Sequence, residues 1–219
     1  MKALDLFCGS GGASVGLASA GFEVVGIDIN YKPEYPYTFV QLDALKIKNF
    51  DTYDLIWASP PCQAYSIGGN NNSRKKYPKL IEPIRKILLK SKKPFIIENV
   101  PKAPLRKDLM LCGEMFNLKV IRHRIFEIHG FNARQPEHQK HKGKVSTGEY
   151  QGVYRGGRCG CFGNKELRDK LKVGSIEDWK KSMGINHINT RDGLAESIPP
   201  AYSKYIAKEF LRGYQNELE

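Results

Sequence analysis

The opening stretch from Lys2 to Asn30, KALDLFCGSGGASVGLASAGFEVVGIDIN, constrains the fold more than any other part of the chain. A short, mostly apolar run (2–7) is followed at once by a glycine-rich turn and small and apolar residues at helical spacing (8–21). A second strand-like run (22–30) then ends in an acid. Strand, glycine turn, helix, strand is a unit of a parallel sheet, because a helical crossover returns the chain beside its own first strand. The pattern continues with strands expected at 37–43 and 52–59, a helix at 80–92 and a strand at 94–100. The fold class is therefore α/β, a mostly parallel Rossmann-like sheet with helices on both faces.

Beyond residue 100 the periodicity loosens. Residues 101–118 suggest a short helix, and 121–128 alternate as a strand does. Residues 129–175 are rich in Gly, His, Lys and Arg without sustained period, as expected of a long loop or small insertion. Ser175 with Asp178 forms a near capping box for a helix over 175–184. A last helix spans 198–215, with Tyr202, Ile206, Phe210 and Tyr214 as its inward stripe. Three regions follow: a catalytic and cofactor-binding core (1–128), an insertion or reduced target-recognition region (129–175) and C-terminal helices returning to the core (176–219).

The 219 residues, 41% of them hydrophobic, suffice for one sizeable core. Thirty-five Lys and Arg against 23 Asp and Glu give a net charge of +12, a field that attracts nucleic acid or another polyanion, though a merely soluble basic surface also fits. Five cysteines, an odd number, describe no paired disulfide framework, and no signal peptide precedes the first strand-like run. No apolar run approaches membrane-spanning length. The expected setting is cytoplasmic or otherwise intracellular, with access to nucleic acid and no membrane partner.

Three features carry chemistry. In the first turn, Gly9, Gly11 and Gly12 let a ligand approach the backbone near helix N-terminal amides, but the run departs from GxGxxG and no GKS or GKT follows. Asp28 stands where a ribose-binding carboxylate belongs, and Asp43 where an adenine amino group would find an acceptor; the lesser alternative is that both are strand-end caps. SPPCQAYS (59–66) then places Cys62 behind two prolines at a strand end, a restricted position for a nucleophile with no CxxC partner for redox chemistry. Glu98 ends the next strand, and Arg122-His123-Arg124 follows further on. Cysteine, carboxylate and arginine together can add a thiolate to an electron-poor ring and steady the charge that develops.

DLFCGSGG with GFEVVGIDIN, SPPCQAYS, IIENV and IRHRIF, in that order, resemble the motifs of the DNA cytosine carbon-5 methyltransferases over roughly the first 128 residues. That resemblance implies S-adenosylmethionine as cofactor, double-stranded DNA as partner and a flipped cytosine as target. It implies that Cys62 attacks carbon 6, that Glu98 meets N3 and the exocyclic amine, and that Arg124, with Arg122 nearby, binds the base. Gln63 and Ser66 complete the loop over the base. Phe7, Gly9, Gly11, Asp28, Ile29, Asp43 and Pro60 form the cofactor pocket.

The chain departs from the family in its short stretch between IRHRIF and IPPAYSKYIA and in lacking a recognisable GN-containing late motif. Val120 and Asp28 stand where glutamine and glutamate are usual. Specificity is then short, relaxed or delegated to a separate chain, and a purpose such as restriction–modification is not written in the sequence. Methylation of RNA or a free pyrimidine nucleotide, and a catalytically degenerate DNA-binding protein, are the alternatives. In YRGGRCGCFGNK (154–165), Arg155 and Arg158 would track a phosphate backbone, unless the segment is a structural loop with Phe162 tucked inward. His138, His141, Cys159 and Cys161 offer four zinc ligands, but the CxC spacing is tight and both histidines sit in a basic polar run, which favours surface histidines over a metal.

Overall fold

A computed structural model describes residues 1–66, 77–145, 148–154 and 174–216. Seven strands form one sheet: β1 (Lys2–Leu6), β2 (Glu23–Asp28), β3 (Thr38–Gln41), β4 (Leu55–Ala58), β5 (Phe95–Asn99), β6 (Leu109–Leu111) and β7 (Arg124–His129), in the order β3-β2-β1-β4-β5-β7-β6. The first five pair in parallel, with Leu4 opposite both Val25 and Ile56, and Ile56 opposite Phe95. β7 inserts antiparallel between β5 and β6. β4, LIWA, is buried at every residue, as a central parallel strand covered on both faces must be. From β1 the chain winds outward to β2 and β3 on one side and then crosses to β4 on the other. The sheet therefore parts beyond the carboxyl ends of β1 and β4, where open α/β sheets hold their ligands.

Helices α1 (Gly12–Ser19) and α5 (Pro200–Asn216) cover one face, where Ala13, Leu17, Tyr202, Ile206 and Phe210 join Ala3, Trp57 and Phe126 in a single core. Helix α2 (Ile81–Ser91) covers the other face, placing Ile81, Ile84 and Leu88 on Leu4, Leu6, Ile56 and Ile97. Leu4 and Leu6 against Ala3 is the period-two alternation of a strand buried on both sides. Arg85 of α2 holds the antiparallel half in place, donating from Nε to Glu127 Oε1 at 2.9 Å and from Nη2 to Glu127 Oε2 at 2.8 Å. Helices α3 (Ile176–Met183) and α4 (Arg191–Glu196) build a smaller core of Trp179, Met183, Ile188 and Leu194 around Val120 and Val153. Ser175 caps α3 reciprocally with Asp178, as the sequence predicts.

Four expectations need correction. Residues 101–118 hold no α-helix: they form β6 and a 3₁₀ turn at Gly113–Phe116. Three residues, LML, are too few to show alternation. β7 begins at Arg124 rather than 121, because Arg122 is spent on carbonyl groups elsewhere. α4 is additional: Thr190 caps it through Gly193 N, but at six residues it carries no readable period. Tyr214 is 45% exposed, whereas Tyr202, Ile206 and Phe210 are buried, so the inward stripe of α5 ends one turn early. The described residues of 130–154 contain no helix or strand, only a bridge from Gln151 to Val120.

Among the described glycines, Gly16 of α1 has the least room for a side chain, because α5 packs against it. A Cβ on Gly16 would stand 2.0 Å from Ser203 Oγ and 2.1 Å from the Pro200 carbonyl oxygen, and Ser203 Oγ donates to the Ala13 carbonyl at 2.7 Å. Gly16→Ala is expected to destabilise the protein by about 1–3 kcal/mol through overpacking against backbone. Gly213→Ala, where a Cβ would meet nothing within 4 Å, should instead gain about 0.5–1 kcal/mol of helix propensity. Urea unfolding of the two variants beside the parent protein reads both effects.

Candidate active site

At the end of β1 the chain turns sharply. Phe7, Gly9 and Gly11 take φ of 58°, 52° and 90°. For Phe7 that left-handed conformation costs about 1–2 kcal/mol, and the Cys8 amide, bonded to the Ile27 carbonyl at 3.0 Å, helps hold it. A Cβ on Gly9 would meet no atom within 4 Å, so this backbone is open to an approaching ligand. Gly11 serves the turn instead: it caps α1, and its Cβ direction runs into Tyr35 and Pro36.

The turn floors a cavity of about 910 Å³. Asp28 lines it while accepting from Gly9 N at 3.1 Å and Asn30 N at 2.9 Å. Asp43 lines it while capping the 3₁₀ turn Ala44–Lys46 through Leu45 N at 3.0 Å. Each acid is a backbone cap, and each lines the cavity. Phe7, Gly9, Ile29 and Pro60 line the same space.

Beneath them Asp5 is fully buried. Ser14 Oγ donates to its Oδ2 and shares a 2.8 Å hydrogen bond with the Tyr35 hydroxyl, while Oδ1, also buried, has no partner among the described residues. Burial pushes the Asp5 carboxyl up to about 7; the Ser14 hydrogen bond pulls it down, and the charges of Asp28 and Glu98 push it up.

The opposite wall rises from β4 and β5. Ser59 N donates to the Leu6 carbonyl at 3.0 Å, and Trp57 Nε1 donates to Ser59 Oγ at 2.9 Å. The buried Asn99 side chain donates to the Pro60 carbonyl at 2.8 Å, pinning the double proline to the end of β5. Cys62 follows, and the amides of Tyr65 and Ser66 both bond its carbonyl at 2.9 Å. Burial raises the Cys62 thiol above its ordinary range; Arg124 and Arg122 pull it down and Glu98 pushes it up. Cys62 is thus a neutral thiol in the resting protein.

Glu98 and Arg124 meet at 2.8 Å, Oε1 to Nε, both nearly buried. Arg124 Nη1 also donates to the His123 carbonyl at 2.9 Å. Arg122 turns away. Its guanidinium donates to the Val153 carbonyl at 2.8 Å and to the Ala195 carbonyl, and burial followed by the Arg124 charge lowers it to about 9.

The third wall comes from the far end of the chain. His187 Nε2 donates to the Ser10 carbonyl at 2.7 Å, and Asn189 N and Thr190 Oγ1 donate to Glu34 at 2.7 and 3.1 Å. This brings Thr190, Gly193, Ser197 and Ile198 to the cavity.

Of the residues proposed from sequence, the cavity therefore gathers Cys62, Gln63, Glu98 and Arg124 with the cofactor set, except Gly11. Ser66 and Arg122 lie next to it without lining it. Arg155, Arg158, Cys159 and Cys161 fall outside the described residues. Sequence reasoning missed Asp5, Asn99 and the wall at 187–198. The one available signal for the last was SIPP (197–200) ahead of an amphipathic helix, a proline-fixed corner like that of SPPC.

The sheet order, the glycine turn over β1 and the cavity at the switch point define a Rossmann-like fold of the S-adenosylmethionine-dependent methyltransferase class. A family model for C-5 cytosine-specific DNA methylase matches residues 1–111. The type II methyltransferase M.HgiGI of Herpetosiphon aurantiacus is 35% identical over 121 residues, 49% of this chain and 96% of that protein. M.HgiDI of the same organism is 34% identical over 121 residues, again 49% of this chain, but there the match spans only 39% of the relative. Among solved structures, a prophage-encoded protein of E. coli shares the fold with a TM-score of 0.65 at 14% identity, over 98% of this chain and 99% of that one. The chain belongs to the C-5 cytosine-specific DNA methylase family.

Asp5 gives a pH signature. Its folded value of about 7 lies above the ordinary 3.8, so between these limits the folded state holds a proton the unfolded chain has lost. Its contribution is greatest below pH 4, falls as pH rises and levels off above about 7. Stability of the parent protein relative to Asp5→Asn should follow that course in urea unfolding from pH 4 to 8; a difference independent of pH would contradict it.

Proposed function

We propose that this protein transfers a methyl group from S-adenosylmethionine to carbon 5 of cytosine in DNA, through a covalent bond from Cys62. The supporting observation is that Cys62, Glu98 and Arg124 face the same cavity as the glycine turn, Asp28 and Asp43. The residues fit the cofactor. Asp5 Oδ1, buried and unpartnered, suits an ammonium group, and the open backbone at Gly9 by the start of α1 suits a carboxylate. Asp28 would hold the ribose hydroxyls and Asp43 the adenine amine. Bound there, S-adenosylmethionine supplies an electrophilic methyl group.

The protein's part begins with the thiol. The Cys62 proton passes to the Glu98 carboxylate as the sulfur bonds to carbon 6 of cytosine. The C5–C6 double-bond electrons move to C4–C5 and those of C4–N3 to N3, which takes the proton from Glu98; carbon 5 becomes nucleophilic, and N3 returns the proton to Glu98 as the methyl group is taken up. Arg124 keeps Glu98 oriented, and its Nη2, which carries no hydrogen bond among the described residues, is left for the base carbonyl. Once carbon 5 is methylated, loss of its proton restores the double bond and expels Cys62. Carbon 6 is reached only outside the stack, so the target base must be flipped.

The net charge of +12 supports a polyanionic substrate. Choice of site would fall to residues 129–175, Arg155 and Arg158 included, or to a separate chain.

Labelled-methyl transfer to duplex DNA, RNA and dCMP, followed by bisulfite mapping of the DNA, tests the reading. Methylcytosine should appear in duplex DNA alone, vanish in Cys62→Ala and drop about 10²–10³-fold in kcat in Arg124→Ala. A folded, cofactor-binding protein that methylates only RNA, or nothing, would overturn it.

A further inference from the structure

A second cluster, none of whose members lines the cavity, gathers from three separate stretches of chain. Cys112 ends the β6 edge, His123 sits between the two arginines, and His138 and His141 come from the irregular segment after β7. One ligand atom from each lies within 4.8 Å of every other. The three imidazoles stand nearly perpendicular around a common point, with centroid separations of 5.1, 5.1 and 4.9 Å and interplanar angles of 77°, 67° and 75°.

Proton bookkeeping shows what the arrangement lacks. His141 Nδ1 is committed to Glu114, whose other oxygen accepts from the Tyr150 hydroxyl. The other ring nitrogen of His141, Nε2, then faces His123 Nε2, 3.3 Å away. His138 Nε2 is buried with no hydrogen-bond partner among the described residues. Cys112 is fully buried, and Met115 N donates to its carbonyl at 3.1 Å, which leaves the sulfur to the cluster. A proton bridges only one pair of these atoms, whereas one cation is shared by all four.

We infer that Cys112, His123, His138 and His141 form a structural zinc site with one sulfur and three nitrogen ligands. Four-coordinate N/S ligation is the closed tetrahedral form that zinc favours, with ligand atoms separated by about 3.3–3.8 Å for ordinary Zn–N and Zn–S bonds. The His123–His141 separation already meets that value. The Glu114 carboxylate supplies the outer partner that fixes a ligating imidazole's tautomer. The site staples the described residues of 130–154, which have no helix or strand of their own, to the β6–β7 edge. It also fixes the residue whose carbonyl receives Arg124 Nη1, so the metal would position the catalytic arginine without touching substrate.

Metal analysis of the full-length protein should find one zinc per chain. After chelator treatment, Co²⁺ uptake should give visible bands of tetrahedral intensity and a near-ultraviolet thiolate charge-transfer band. Cys112→Ser should lose the charge-transfer band, while a Cys159→Ser, Cys161→Ser double variant keeps it. Glu114→Gln should weaken metal retention about 10–100-fold in chelator competition. Should Cys112→Ser not fold, His138→Ala provides the same test through loss of tetrahedral band intensity. Substoichiometric zinc with no Co²⁺ uptake, a weak octahedral spectrum, or a band that survives Cys112→Ser and depends on Cys159 or Cys161 overturns the assignment.

Discussion

Glu98 is a carboxylate at the end of a strand buried on both faces, and the arrangement of the site follows from the need to pair it. A buried unpaired charge is costly, whereas a well-oriented arginine makes it tolerable. In a purely parallel sheet the neighbour of β5 would present its amino end far from Glu98. Because β7 runs antiparallel, with Phe126 opposite Glu98, its first residue, Arg124, lies on the diagonal within reach. The pair that neutralises the strand end is the pair that can meet an electron-poor ring. Stability and chemistry thus ask the same thing of this position, and Asn99, one residue on, extends the arrangement to the double proline.

The parallel half of the sheet was legible because each strand there is a continuous apolar run bounded by turn residues, and because the glycine turn has one plausible place in such a fold. The antiparallel end was not. β6 is three residues long, and β7 is preceded by a charged residue, Arg122, whose burial against carbonyl groups no local pattern announces. In the site, Cys62, Glu98 and Arg124 could be read from their order along the chain. Asp5 could not be distinguished from any polar residue in a strand, and Asn99 shows its purpose only once Pro60 lies beside it. Of the four metal ligands proposed from sequence, His138 and His141 share a cluster, but with Cys112 and His123, which are distant in sequence and close only because β6 and β7 pair.

Two arginines separated by one residue are put to different uses. Arg124 faces the cavity, while Arg122 reaches across to Val153 and Ala195, tying the sheet to the irregular segment and to α4. The Arg122 carbonyl in turn accepts from the buried Tyr202 hydroxyl of α5 at 2.8 Å. The wall of the cavity formed by residues 187–198 is therefore anchored at both ends, to the glycine turn through His187 and to the start of β7 through Arg122.

The tight seat of α5 on Gly16 bears on the order in which the protein can be assembled. By the time residues 1–128 have left the ribosome, Cys62, Glu98 and Arg124 have all been made. Yet the apolar face of α1 is still uncovered, and the cavity lacks the wall that His187 brings to Ser10. Helix α5, nearly two hundred residues downstream, shields that face, and residues 187–198 just before it enclose the ligand space. A nascent chain that already carries Cys62, Glu98 and Arg124 thus lacks both the cover on α1 and the wall at 187–198 until its synthesis has passed α5.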